Sequence, residues 1–211
     1  MANNTSYNGS RYGFIYPIVS ALVQATLYIS LVELFKAVGK RLAPTKEEEA
    51  RYCSVAIDVF ILFKWITLSA LWLFGVQHPL AVLFVAYMIG TNLFVYFYHH
   101  VWRAPYDGSD ENRRRRFVNL VQSFAYNLMA FAYLYDVPLV RHFEVSGGAN
   151  HALASSLLSV SRSMLVDYSQ MSPVGSLGII VTLVQTATVV CFLSILLSVS
   201  VPSFHSQENN K

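Results

Sequence analysis

The stretch that most constrains the fold is residues 151–201, which read as a short helix, a polar turn and a long apolar helix. The first part, 151–165, would be about 22 Å long as a helix, too short to cross a ~30 Å hydrocarbon layer. The last part, 175–201, carries no charge and is long enough to span. This order predicts a re-entrant loop, which enters and leaves the membrane by the same face. Non-helical backbone at that depth requires burial by protein or a water-filled cavity.

The composition of the chain indicates a membrane protein. Hydrophobic residues make up 55% of the 211 residues and charged residues 13%, about half of the charged share of a soluble domain. The two cysteines, Cys53 and Cys191, both fall in apolar segments and form neither a disulfide framework nor a metal-binding spacing. We therefore expect a multi-pass α-helical membrane protein that needs neither a metal nor another cofactor.

The apolar runs predict an all-α membrane protein with five transmembrane helices, plus the re-entrant helix between the fourth and fifth. The five predicted spans are 12–38, 52–76, 80–102, 117–139 and 175–201. The predicted organisation is an extracytoplasmic tail (1–11), a three-helix part (12–102), a basic cytoplasmic loop (103–116), a helix–loop–helix module (117–202) and a cytoplasmic tail (203–211). The first tail carries N-glycosylation patterns at Asn3, Asn4 and Asn8, and chance in an Asn/Ser-rich tail is the alternative.

The distribution of Lys and Arg predicts the orientation. The two basic loops follow the first and third predicted spans, so an even number of crossings separates them and both fit the cytoplasmic side. The N-terminus then lies outside, the C-terminus lies in the cytoplasm, and the re-entrant loop enters from outside. The arginine run Arg113, Arg114, Arg115 and Arg116 points around the whole helix circumference and predicts contact with anionic lipid headgroups.

The turn of the re-entrant stretch reads L-V-D-Y-S-Q-M-S-P at 165–173. Together with its flanking helices, it resembles the pore module of tetrameric potassium channels, in which an outer helix, pore helix, selectivity filter and inner helix follow one another. The filter there reads T-V-G-Y-G-D, followed closely by a small polar residue and proline. The resemblance covers about the last 95 residues. It implies an ion pathway along the filter-like residues Leu165, Val166, Asp167, Tyr168 and Ser169, and it implies a tetramer.

The departures from that filter predict a different selectivity. Asp167 and Ser169 replace the two glycines, whose dihedral angles are costly for residues with a Cβ, and Leu165 replaces the threonine hydroxyl. We therefore expect no preference for potassium. Copies of Asp167 would form a carboxylate ring, which attracts cations.

Asp167 has a second interpretation that the sequence leaves open. Arg162 lies five residues before it, near the buried end of the short helix, where an unpaired charge is expensive. A salt bridge that braces the loop is the favoured role of Arg162, and pairing and pore-facing are equally good interpretations of Asp167.

The last helix offers two faces. Thr182, Gln185 and Thr186 have a spacing that fits pore lining, although interhelical hydrogen bonds are the favoured interpretation. A second stripe is small in every member and favours close approach of another helix: Ala187, Cys191, Ser194 and Ser198.

The earlier spans carry polar groups that would not face lipid. The fourth span has a polar stripe that requires cover by protein: Asn119, Gln122, Ser123, Tyr126, Asn127 and Tyr133. Asp58 and Lys64 in the second span, and Glu33 in the first, are charges at membrane depth. A structural pair is favoured over a proton or ion relay for them.

Two function classes remain. The first is a cation channel, a homo-oligomer with a tetramer favoured, for monovalent or divalent cations. The second is a non-conducting structural or accessory subunit that buries the loop against other membrane subunits. A proton-coupled carrier that uses Asp58 and Lys64 has less support. We expect no enzyme activity, since nucleophile-elbow, phosphate-loop and dinucleotide patterns are absent from the sequence, and no nucleic acid partner.

Overall fold

A computed structural model describes residues 15–98, 110–168 and 170–200. Within these ranges the chain is mostly helical. The helices are α1 (Ile15–Ile29), α2 (Leu31–Leu42), α3 (Glu49–Leu73), α4 (Pro79–Phe97), α5 (Asp110–Asp136), α6 (His151–Ser163) and α7 (Gly175–Ser200), and the strands are β1 (Phe143–Val145) and β2 (Met171–Pro173). A short 3-10 turn, Val140–His142, precedes β1.

Four helices of the described part are long and apolar enough to cross a membrane. They are Glu49–Leu73, Pro79–Phe97, Phe117–Asp136 and Gly175–Leu197, and they correspond to the second, third, fourth and fifth predicted spans. The protein therefore has the character of a multi-pass membrane protein, as the sequence predicts. The count rises to five if the bent pair α1–α2 is one span.

The first predicted span, 12–38, differs from a single helix. Residues 12–14 lie outside the described ranges, and the rest is broken at Ser30, where α1 and α2 meet at 63°. Ser30 is the N-cap of α2 in an extended conformation, with φ −70° and ψ 124°. Ser30 and Glu33 have the sequence spacing of a capping box, but in the structure the Ser30 side chain makes no capping hydrogen bond and Glu33 pairs with Lys36. The break thus coincides with a sequence signal that apolar run length alone overlooks.

The chain divides into two compact units, 1–60 and 61–211, and each is described by itself. In the first unit, α2 packs against the start of α3. The ring centroids of Phe35 and Phe60 are 5.3 Å apart, and a Cβ on the buried Gly39 would lie 2.9 Å from the carbonyl oxygen of Tyr52. A glycine is therefore required where these two helices touch.

In the second unit, α6 packs against α5 and α7. Its buried side is formed largely by small residues, namely Ala154, Ser155, Ser159 and Ser163, with Leu158 between them. Small side chains let helix backbones approach closely. Within a membrane the hydrophobic effect does not drive helices together, so such close packing is an important source of helix association. The other side of α6 exposes Leu153, Leu157 and Val160.

The arginine run lies in a helix and not in a loop. The predicted fourth span begins at residue 117, and the apolar part of the helix, Phe117–Asp136, begins there too. The helix that contains it, α5, already begins at Asp110. Arg114 and Arg115 are exposed on this helical extension, and their contact with lipid headgroups stays a prediction.

Candidate functional site

The segment that connects α5 to α7 starts and finishes at the same place. Strands β1 and β2 pair antiparallel, with Glu144 opposite Ser172. The hydrogen bond from Ser146 N to Gln170 O (2.8 Å) extends this pairing on one side, and that from Val174 N to His142 O (2.7 Å) extends it on the other. The chain therefore leaves this pair of strands after β1 and returns to it at β2. These strands were not predicted from the sequence.

Between the two strands, α6 runs back alongside α5. His151 at the start of α6 places Nδ1 2.9 Å from Oδ1 of Asp136, the last residue of α5. Eight residues further on, Ser159 Oγ donates to the carbonyl oxygen of Leu128 (2.7 Å), eight residues before Asp136. The two equal separations correspond to about 12 Å of helix each. Helices α5 and α6 are therefore antiparallel neighbours over this length.

Gln185 connects all three helices of the module. Its side chain has no exposed surface. Its Nε2 donates to the carbonyl oxygen (3.0 Å) and to Oγ (2.7 Å) of Ser159, and its Oε1 accepts from the Tyr135 hydroxyl. Gln185 therefore makes interhelical hydrogen bonds, the interpretation that the sequence favours over pore lining.

The two threonines near Gln185 bond within their own helix. Thr182 is buried, and its hydroxyl donates to Gly178 O at 2.8 Å. Thr186 is half-buried, and its hydroxyl donates to Thr182 O at 3.1 Å. Such a bond satisfies the Thr186 hydroxyl within α7, whereas the Thr182 side chain also hydrogen-bonds with Tyr135 on α5. The pore-lining role of Thr182 and Thr186 stays a prediction.

Helix α6 ends at the filter-like turn. Arg162 lies in its last turn, where a positive charge interacts favourably with the negative end of the helix dipole. One of its terminal nitrogens (Nη2) lies 3.0 Å from Oδ1 of Asp167. The Arg162 side chain is 28% exposed, whereas that of Asp167 is 84% exposed. The predicted ion pair is therefore present, and most of the carboxylate surface still lies open.

The remaining filter-like residues occupy different environments. Leu165 and Val166 are exposed, at 62% and 57% of their surface. Tyr168 is half-buried, and its hydroxyl donates to Gln170 Oε1 at 2.8 Å. Ser169 lies outside the described residues. Apart from Leu165, which has a φ of 56°, the non-glycine residues of the described part have negative φ.

A buried polar cluster surrounds Lys64, which is 2% exposed. Its Nζ donates to Asn92 Oδ1 (3.0 Å) and Ser123 Oγ (3.4 Å) and lies 4.8 Å from the centre of the Tyr126 ring. Asn92 in turn donates to Asn127 Oδ1 (3.1 Å). Helices α3 and α4 therefore cover much of the polar stripe of α5. The sequence identified this stripe but could not say what covers it.

The end of α5 carries a second polar cluster, which sequence reasoning missed. Asp136 accepts from Trp72 Nε1 at 2.6 Å through one carboxylate oxygen and faces His151 through the other. The nearby Tyr133 hydroxyl donates to Val76 O at 2.5 Å. These contacts tie the end of α3 and the start of α6 to the end of α5. A single Asp at the end of a predicted span gives no sequence signal for partners 64 and 15 residues away.

The other two charges predicted at membrane depth belong to the first unit. Glu33 is paired with Lys36, one turn further along α2, at 2.6 Å. Asp58 lies on the exposed side of α3. Neither observation tests a proton or ion relay.

Among the described residues, no group of three or more His, Cys, Asp and Glu side chains is placed to hold a metal ion.

No protein-family model matches the sequence, and the curated proteins and solved structures compared with the chain give no match either.

Proposed function

We propose that this chain is a subunit of an oligomeric, channel-like membrane protein that conducts cations without selecting potassium. The observation that carries the proposal is the path of residues 143–173. The pairing of β1 with β2 joins both ends of this segment, while its middle lies alongside Leu128 and Gln185. If α5 and α7 cross a bilayer, α6 enters and leaves by the same face. The proposed pore loop requires such a path.

The chemistry of the turn supports a wet or protein-lined environment. The backbone of Val166, Asp167 and Tyr168 is not helical, and the Asp167 carboxylate is 84% exposed. Neither feature is compatible with contact to acyl chains, since lipid offers no hydrogen bonds. Copies of the chain around an axis would surround such a turn and place a ring of Asp167 carboxylates on the pathway. Such rings attract cations.

Helix α7 supports assembly on its outer side. Ala187, Cys191 and Ser194 are exposed on this helix, and small side chains at this spacing permit close approach of a neighbouring helix. Orientation follows the basic loops, with the N-terminus outside, the C-terminus in the cytoplasm and the turn reached from outside. The filter-like turn has Leu165, Asp167 and Ser169 in place of the threonine and the two glycines. For this reason we propose a pathway that conducts cations without selecting potassium.

The ion pair Arg162–Asp167 at 3.0 Å favours a second candidate function. A guanidinium beside each carboxylate lowers the negative charge available to a cation. A non-conducting accessory subunit, which keeps the loop as a structural element and buries it against partner subunits, would need such a neutralised turn.

The proposal predicts that Asp167→Asn lowers cation conductance by about threefold in low salt, because removing the carboxylates lowers the local cation concentration. The difference should shrink in 1 M salt, where the Debye length is about 3 Å. Full-length protein purified into planar bilayers gives the measurement. Glu144→Gln is the matched control, since Glu144 is an exposed carboxylate on β1 of the same segment, and we expect it to leave the conductance unchanged.

The two candidate functions give opposite outcomes in this assay. Equal conductance of the wild type and Asp167→Asn would contradict a role of this carboxylate in the pathway. Silence of correctly folded protein, both the wild type and a variant with Asn in place of the exposed Leu165, would contradict conduction. Co-purification of a constant set of foreign membrane subunits would then support the accessory function.

A further inference from the structure

Three consecutive apolar side chains are exposed where α6 ends. Met164 is 69% exposed, Leu165 62% and Val166 57%. They stand between the two members of the ion pair, Arg162 and Asp167. All three side chains are therefore open to whatever surrounds the turn.

The backbone holds the middle residue in an unfavourable conformation. Val166 N donates to Ser161 O (2.9 Å) and Leu165 N donates to Arg162 O (3.1 Å), the bond pair of a Schellman motif. Leu165 occupies the left-handed position of this motif, with a φ of 56°. Glycine is usual at this position because a Cβ is penalised there. Leucine therefore places an exposed apolar side chain at a position where glycine would fit without strain.

The neighbours of this apolar group determine what it can face. Asp167 follows it directly and is highly exposed, and the backbone from Val166 to Tyr168 is not helical. Both exclude contact with acyl chains at membrane depth. In the assembly proposed above, the side of the turn that carries Asp167 faces the shared axis. Met164, Leu165 and Val166 directly precede it along the chain and are exposed as well.

We propose that Leu165, flanked by Met164 and Val166, forms a hydrophobic constriction that closes the pathway at rest. Apolar constrictions exclude hydrated ions because a narrow apolar passage loses its water. The Asp167 ring would concentrate cations next to this barrier, and widening of the turn would admit them. This proposal rests on the channel-like function proposed above and adds the residue that keeps the channel closed.

The test is Leu165→Asn, which replaces the apolar side chain by a polar one that tolerates the left-handed conformation. We expect a resting current at least about tenfold above that of the wild type, because the passage would stay hydrated. The midpoint of thermal unfolding should rise by about 2–4 °C as the strain is relieved. Leu165→Met is the matched control, since it keeps an apolar side chain and the strain, and we expect the wild-type current and midpoint.

The outcomes separate this proposal from the one on which it rests. A low wild-type current that rises in Leu165→Asn but not in Leu165→Met supports the constriction. A wild-type current that Leu165→Asn leaves unchanged overturns the constriction and leaves the channel. Silence of all three proteins, each folded and eluting as the same species on gel filtration, overturns both.

Discussion

Replacing Gly178 with valine should destabilise the module by about 3 kcal/mol, because the first turn of α7 lies directly against the 3-10 turn. A Cβ at this position would be 2.5 Å from the carbonyl oxygen of His142 and 3.1 Å from Cβ of Pro173. The first of these is a backbone atom, so the clash cannot be relieved by a side-chain rotation. Overpacking of this kind typically costs about 1–3 kcal/mol and sometimes more.

The same oxygen of His142 accepts the hydrogen bond from Val174 N at 2.7 Å, next to the β1–β2 pairing. Displacing it should therefore loosen the point where the loop returns. The free energy of unfolding, measured by denaturant titration in mixed micelles, gives the test. Gly90→Val is the matched control, since no atom lies within 4 Å of a Cβ added to this α4 glycine. Equal stability of the two variants would contradict the close contact at Gly178.

Gln185→Leu should destabilise the protein by about 2 kcal/mol, because one buried amide satisfies groups on two other helices. Its removal leaves the carbonyl and hydroxyl of Ser159 and the hydroxyl of Tyr135 without this partner, in the buried interior of the module. A buried polar group left unpaired costs about 1–3 kcal/mol, although interhelical hydrogen bonds in membranes average less than that.

This substitution also separates the two interpretations of the α7 face. If Gln185 faced a water-filled pathway, Leu would leave no buried group unpaired, and the free energy of unfolding would change little. Thr186→Val is the matched control on the adjacent residue, since its hydroxyl bonds within α7, and we expect a change below about 0.5 kcal/mol. A comparable loss of unfolding free energy in the two variants would contradict the role of Gln185 in connecting the three helices by hydrogen bonds.

The spanning helices were predictable from the sequence because apolar run length reports directly on burial in lipid. The bend at Ser30 was not predicted, since an apolar run continues across it. It coincides with the capping-box spacing of Ser30 and Glu33, although the Ser30 side chain makes no capping hydrogen bond. The extension of α5 was missed for a related reason: Arg114 and Arg115 are good helix formers, but a hydropathy criterion assigns charged residues to loops.

For the candidate site, the sequence predicted which polar residues need a partner but not which residues those partners are. Lys64 and Gln185 each stood out as polar residues in apolar segments, which implies a partner. Their partners lie 26 to 59 residues away, at Asn92, Ser123, Ser159 and Tyr135, and sequence periodicity carries no information on such distant pairing. Arg162 and Asp167 are five residues apart, and here local spacing was enough to anticipate the pair.

The central claim is that the chain returns to the face from which α6 starts, and labelling of single cysteines tests it most directly. Ser146→Cys and Ser176→Cys are near-isosteric changes at exposed positions on either side of α6 and β2. Each is introduced after Cys53 and Cys191 have been replaced by serine. In sealed, uniformly oriented vesicles, a membrane-impermeant thiol reagent should label both positions from the same side. Labelling of the two positions from opposite sides would mean that α6 crosses the membrane, which contradicts the account.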